Sequence, residues 1–212
     1  MNLTNQKESP AIYNEFDRLL LVVTLLLVFL MATRTPLDSD MWWHLRSGQI
    51  MVETGKPLLV DVFSFTRAGT EWTNHSWLGE VVLFLIYQSS GFAGLSVWMG
   101  LMAVAIALFI WLQMEGGAFH RAVFVLFASI VSAPLWTPRP QFFSLVFLAG
   151  LTWWVGNWLN TGGKRIWYLI PFFILWSNLH GGFVLGILYL LVYAASLLFE
   201  LLEDNKVETK KN

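Results

Sequence analysis

Of the chain's 212 residues, 56% are hydrophobic and only 13% charged, with a mean hydropathy of +0.59; soluble domains carry about 25% charged residues, so a water-soluble fold is excluded for want of polar surface. The net charge is −1 and the largest basic group is Lys210-Lys211 with Lys206 nearby, which leaves no electrostatic footprint for a nucleic-acid partner. There is no cysteine, so disulfides and thiolate metal sites are ruled out and any metal must sit on oxygen or imidazole.

The apolar residues run in long blocks without strand-like alternation. That pattern predicts helices hydrophobic all round, hence an all-α polytopic membrane protein in the lipid bilayer rather than a β-barrel. Charges, prolines and glycines mark off seven blocks: 19–33, 77–90, 93–114, 122–137, 141–160, 166–179 and 182–202. A span needs about 17–25 residues, so the second and sixth are short. Residues 1–18 read as a cytoplasmic leader and the first block as a retained signal anchor, because no small-residue cleavage site is evident. Residues 19–202 read as one transmembrane helical domain and 203–212 as a polar tail. Asn2-Leu-Thr4 and Asn74-His-Ser76 are glycosylation-type tripeptides, short enough to arise by chance.

Between the first two blocks lies the only sizeable polar region, the loop 34–76, with Asp38, Asp40, Arg46, Glu53, Lys56, Asp61, Arg67 and Glu71. Its stretch from Asp40 to Val52 predicts an amphipathic interfacial helix with Trp42 and Trp43 at headgroup level. Gly55-Lys-Pro57 ends that helix, residues 60–66 alternate as an extended segment, and Gly69 turns the chain back towards Trp72 and Trp77. Lysine and arginine favour cytoplasmic loops. Seven crossings from an inside N-terminus put residues 115–121, Lys164-Arg165 and the tail outside. Six crossings, with the second block re-entrant or interfacial, put them inside and Asp38, Asp40, Arg139 and His180 outside. The six-crossing count is the more self-consistent and makes loop 34–76 extracytoplasmic. Farther on, Pro171 is expected to kink the sixth block without removing it from the membrane, and the Gly182/Gly186 spacing to let two helices approach closely.

Asp38 and Asp40 stand directly after the first span, where two carboxylates can share a divalent cation or a proton; the plain alternative is an acidic turn that ends the helix. An aspartate at a helix centre costs about 3 kcal/mol in the bilayer, so both belong at the interface. His44, four residues beyond Asp40, shares its helical face, and with both aspartates offers an oxygen/nitrogen metal site, or is simply solvated. His75 and Glu80 form a second polar group at the mouth of the second block. Glu80 is costly to bury and is expected to face protein or water. Arg139, between Pro138 and Pro140, offers a guanidinium fork that suits a phosphate, or snorkels from a helix end. The run Trp176-Ser-Asn-Leu-His180-Gly-Gly either lines a cavity or turns the chain.

In joint order, Asp38-Ser-Asp-Met-Trp-Trp-His-Leu-Arg-Ser-Gly, Gly55-Lys-Pro, Asp61-Val-Phe-Ser-Phe-Thr, Trp72-Thr-Asn-His-Ser-Trp-Leu-Gly-Glu80, Arg139-Pro-Gln and Trp176-Ser-Asn-Leu-His-Gly-Gly resemble the polytopic bacterial membrane proteins of the GT-C glycosyltransferase superfamily, over most of residues 17–200. The resemblance implies an integral membrane enzyme of the bacterial plasma membrane. It would transfer a sugar from a polyprenyl-phosphate donor to an extracytoplasmic acceptor, and the superfamily also suggests seven crossings in this module. It implies Asp38 or Asp40 as general base or as ligand of a divalent metal ion, Arg139 at the carrier phosphate, and Trp42 and Trp43 bracketing lipid or sugar, with His44, His75, Glu80 and His180 as further substrate-site candidates. Superfamily members usually continue for several more spans, so the chain corresponds to their N-terminal conserved module. Two other readings stand beside this one: a non-catalytic relative that packs on other membrane subunits of a larger complex, and a lipid or small-molecule transporter. The apolar blocks offer few polar positions for a transport path.

Overall fold

The computed structural model describes residues 15–36, 38–161 and 164–209; most of the expected leader, including the Asn2 tripeptide, and the last three residues lie outside them. Among the described residues seven α-helices follow one another: α1 (Glu15–Ala32), α2 (Met41–Thr54), α3 (Trp77–Gln113), α4 (Ala118–Ser132), α5 (Gln141–Thr161), α6 (Leu169–Leu179) and α7 (Phe183–Thr209). Short 3-10 turns, Ala133–Leu135 and Lys164–Tyr168, close α4 and open α6. Among the described residues three helices are long and apolar enough to cross a membrane: Trp77–Gln113, Ala118–Leu135 and Phe183–Glu203. α1 is held back by Glu15, Asp17 and Arg18 in its first turn, and the stretch Lys164–Leu179 is divided into a 3-10 turn and an eleven-residue helix.

The second and third apolar blocks form the two helical halves of α3, joined across a kink at Gly91 with φ 58° and ψ −149°. A left-handed φ of this kind is costly for any residue with a Cβ, which is why the break falls at the glycine. Beyond it, Ser96 Oγ donates to the Arg34 carbonyl at 2.8 Å, while at the other end Trp77 Nε1 donates to Asn178 Oδ1 at 2.8 Å. The start of segment 77–90 therefore stands beside the end of α6, and the first turns of residues 92–113 stand beside the end of α1.

α3 is the hub of the bundle and packs against α1, α2, α4, α5 and α6. Its core face, Leu83, Leu95, Met99, Ala103, Ala107 and Trp111, meets Val28 and Ala32 of α1, Ala122 and Val125 of α4, and Phe142 and Phe143 of α5. Two glycines permit the closest approaches: a Cβ on Gly48 of α2 would collide with the Glu80 backbone carbonyl, and one on Gly79 would stand 2.5 Å from the Leu179 carbonyl. A smaller cluster of Leu151, Val155 and Trp176 joins α5 to α6, with Tyr189, Leu190 and Tyr193 of α7 against it.

Three expectations change. Pro171 does not kink a helix, because α6 begins at Leu169 and places the proline in the first turn, where the missing N–H has no intrahelical acceptor to lose. The Gly182 and Gly186 positions are filled by side chains rather than by a helix backbone: a Cβ there would run into Ser144 and into the Trp176 ring. In the polar segment 55–76 the two glycine turns stand where expected, but the extended reading of 60–66 fails beyond Val62: the Asp61 carboxylate accepts from the Phe63 and Ser64 N–H groups and the chain turns over residues 65–69. Gly55, at φ 64°, caps α2 by donating to the Met51 carbonyl, and the extended part pairs only through the Val60–Glu71 bridge, with Gly69 in the return turn at φ 83°.

Candidate functional site

The alternating directions of the helices bring the C-termini of α1, α4 and α6 and the N-termini of α2, α3, α5 and α7 to one end of the molecule. Almost every polar residue singled out from the sequence is found there. Three linked groups make up the end.

The first is built on Arg139, in the turn between α4 and α5. Its Nε donates to both oxygens of Asp38, at 2.9 and 2.8 Å, its Nη2 lies 2.7 Å from Asp38 Oδ1, and its Nη1 lies 2.7 Å from Asp40 Oδ2. The two prolines that flank Arg139 hold this turn, and Asp38 in turn caps α2 by accepting from the backbone N–H groups of Asp40 and Met41, the usual way a short acid satisfies orphan donors. The two aspartates are not equivalent. Asp38 is closed off, its side chain 4% exposed, and Asp40 is open at 48%. Burial pushes the Asp38 carboxyl up, but the Arg139 hydrogen bond, the Asp40 N–H, the Arg139 charge and the Met41 N–H outweigh it and hold it below the usual carboxylate range. The Asp38 hydrogen bond raises Arg139 correspondingly.

The second group is the buried carboxylate of Glu80, which is fully enclosed. His44 Nδ1 donates to its Oε1 at 2.9 Å and Asn74 Nδ2 to its Oε2 at 2.6 Å, so both oxygens are matched as a buried charge requires. Asn74 is itself held by the Ser76 N–H on its Oδ1. Trp43 lies over the His44 ring at 3.6 Å between centroids and continues into Trp72 and Phe63. The third group is His180, whose Nδ1 accepts from the Ser144 hydroxyl at 2.8 Å and from the Gly182 N–H at 3.0 Å, while Trp176 Nε1 donates to Ser144 Oγ at 2.7 Å. These bonds place the His180 proton on Nε2. Burial, then the nearby His75 and His44, press its pKa down to about 4. The exposed His75 stands 6.1 Å from it, ring centre to ring centre.

Trp42 is exposed and meets Phe92 edge-on; these two rings, with Asp38 and Ser39, border a cleft of about 400 Å³. Asp38, Asp40 and His44 do not converge as a triad. His44 faces Glu80, the aspartates face a guanidinium, and among the described residues no group of three or more His, Asp or Glu side chains is placed to hold a metal ion. A cation at the two aspartates would have to displace Arg139, so the donors present match an arginine rather than a resident divalent ion.

Sequence reasoning did not single out Ser144 and Arg34, and it named Asn178 only as part of the run 176–182. Ser144 was signalled by being a lone hydroxyl in the apolar opening of α5, and Arg34 by standing at the close of the first apolar block. Asn74 was named as part of a glycosylation-type tripeptide, whereas it is a carboxylate partner. Compared with family models, curated proteins and solved structures, the chain matches none.

Proposed function

We propose that the chain is a GT-C-like membrane glycosyltransferase, or the active-site module of one, that passes a sugar from a polyprenyl-phosphate donor to an extracytoplasmic acceptor. The observation that carries the reading is the meeting, at one end of the bundle, of four polar segments far apart in sequence, around residues 38–44, 74–80, 139 and 176–182. These are the segments that resemble the superfamily. Within them the chemistry divides by exposure. Asp40 is the base: open to solvent, it takes the proton of the acceptor hydroxyl as that oxygen attacks the anomeric carbon, and the bond from that carbon to the phosphate oxygen breaks with its electron pair leaving on the polyprenyl phosphate. Asp38, held ionised and enclosed, positions Arg139, and Arg139 in turn orients Asp40. The cleft beside Trp42 offers the sugar an apolar ring face.

The membrane placement belongs to the same proposal. Six crossings, by α1, residues 92–113, α4, α5, α6 with its preceding 3-10 turn, and α7, leave α2 and residues 77–90 at the outer boundary. The Trp77 bond to Asn178 and the Ser96 bond to Arg34 support this, since they tie the start of 77–90 and the first turns of 92–113 to the same polar end. His120, Arg121, Lys164 and Arg165 then fall on the cytoplasmic side of a bacterial plasma membrane, in keeping with the preference of basic residues.

A second reading is favoured by a different observation. Asp38 and Glu80 are fully matched by partners inside the chain, as they would be in an accessory subunit whose polar end serves only to hold helices. One experiment separates the two. The chain, reconstituted in liposomes with a polyprenyl-phosphate sugar and acceptor, is compared with Asp40→Asn. Loss of about a hundredfold or more in transfer, the scale of a missing general base, with an unchanged melting curve is the expected outcome, and transfer is expected to survive chelation of divalent ions. Equal transfer by Asp40→Asn removes the base assignment; no transfer by the wild-type chain unless other subunits are added supports the accessory reading.

A further inference from the structure

We infer that Arg34 and Thr137 form a binding site for the phosphate group of a lipid, in a cleft between the end of α1 and the turn that follows α4. The inference stands without the transferase reading. Arg34 and Arg139 both stand in turns beside helix ends at the polar end, and they differ in what neutralises them. Arg139 is matched by two carboxylates. Arg34 donates only to main-chain carbonyls, with Nη2 at 2.7 Å from Ala133 O and 3.2 Å from Trp136 O, and among the described residues no carboxylate pairs with it. These bonds fix the guanidinium while leaving its charge and its remaining N–H donors uncommitted. Its backbone is pinned as well, by the Ser96 hydroxyl on the Arg34 carbonyl.

The cleft beside it measures about 420 Å³ and has no acidic residue in its wall. Thr137 stands in that wall with a hydroxyl shielded from solvent that meets no hydrogen-bond partner. A buried polar atom without a partner is rare enough to call for one. Met99 and Trp136, both buried, and Pro134 supply an apolar floor. Below the cleft run the outward faces of α1 and α4, where Leu26, Leu30, Phe124 and Phe127 are exposed. An unpaired cation, an unsatisfied hydroxyl and an apolar floor above exposed apolar helices suit a phosphate with hydrocarbon attached: guanidinium binds the oxygens through its fork, the hydroxyl adds a donor, and the chains follow the helices.

The test uses the full chain in maltoside micelles, which carry no phosphate. Dioleoyl phosphatidic acid is titrated and binding read by native mass spectrometry, with dioleoylglycerol and inorganic phosphate as separate arms. Phosphatidic acid is expected to bind and dioleoylglycerol not to. Arg34→Gln should weaken binding about tenfold or more, the scale of a charged hydrogen bond; Thr137→Val should weaken it about threefold to tenfold, and Arg34→Lys should retain most of it. Competition by inorganic phosphate would identify the site as one for phosphate as such, and its absence as one for the lipid headgroup; either outcome keeps the shared chemistry. Binding of dioleoylglycerol as tight as that of phosphatidic acid would overturn the inference. So would unchanged binding by both Thr137→Val, which preserves size and all main-chain bonds, and Arg34→Gln.

Discussion

α3 and α7 are both apolar helices long enough to cross a membrane, yet the most apolar stretch of α3 is 39% buried within the chain and that of α7 only 6%. α3 buries one face, Leu83, Leu95, Met99, Ala103, Ala107 and Trp111, against the neighbouring helices while Leu85, Val97, Leu101 and Leu112 stay exposed, and its N-terminal turn carries the buried Glu80 into the polar end. α7 leaves Val184, Leu185, Leu188, Leu191 and Val192 exposed, touching the bundle through Gly182, Gly186 and its two stacked tyrosines. Apolar composition thus says that a helix avoids water but not what replaces the water. The difference is set by small and polar residues: Gly48, Gly79 and Gly100 let α1, α2 and α6 press against α3, and Glu80 obliges partners to come to it.

The contrast can be broken most severely at Glu80. His44→Leu would leave the fully enclosed Glu80 carboxyl with Asn74 alone, and leaving a buried acceptor unsatisfied costs about 3 kcal/mol at the upper end; the variant should lose most of its cooperative unfolding in detergent. The double variant His44→Leu/Glu80→Leu, which removes the buried carboxyl together with its histidine partner, should recover much of that loss. Next comes the apolar packing itself. Leu83→Ala should cost about 2 kcal/mol, the low end for a fully buried leucine. Leu191→Ala on α7 should stay within about 0.5 kcal/mol, and a comparable loss at both positions would deny the difference between the two helices. Gly48→Ala, whose Cβ meets main chain that cannot swing aside, should cost about 1–3 kcal/mol. Gly156→Ala, with open space around it, should be neutral or gain up to about 1 kcal/mol from helix propensity.

The smallest effect is on pH. The pKa of His180 is about 4 in the folded chain and about 6.5 when free. The unfolded chain therefore binds a proton that the folded chain refuses across that interval, and stability should be complete above about pH 6.5 and fall as the pH approaches 4. Asp38, whose folded value is also depressed, loses its contribution only at still lower pH, as its own carboxyl becomes protonated. Melting temperature followed from pH 7 to pH 4 should decline in the wild type and decline less in His180→Gln; identical slopes would show that the histidine carries none of it.

The helical class and most element boundaries were legible in the sequence, because long apolar blocks and the breakers Gly55, Gly91 and Pro138 act locally. Gly91 could be read as a boundary, but whether it separates two helices or bends one depends on what Trp77 and Ser96 bind far away in the chain. The polar candidates were legible as chemistry-bearing types, and their pairing was not. Asp38 with Asp40 and His44 looked like a metal triad by spacing along one helix, whereas Arg139, about a hundred residues on, claims the aspartates and Glu80 claims the histidine. Tertiary partners decide such competition, since a guanidinium that bridges two carboxylates satisfies more charge than an interfacial histidine can.

The central claim is that one end of the bundle gathers the polar segments and faces the outside of the cell. The chain has no cysteine of its own, so single cysteines at Ser39 and Thr66, both exposed near that end, and at Gly116 between α3 and α4 report cleanly. With a membrane-impermeant maleimide on intact cells, the account predicts labelling at positions 39 and 66 and none at 116 until the membrane is opened. Labelling at 116 with protection of 39 and 66 would contradict it.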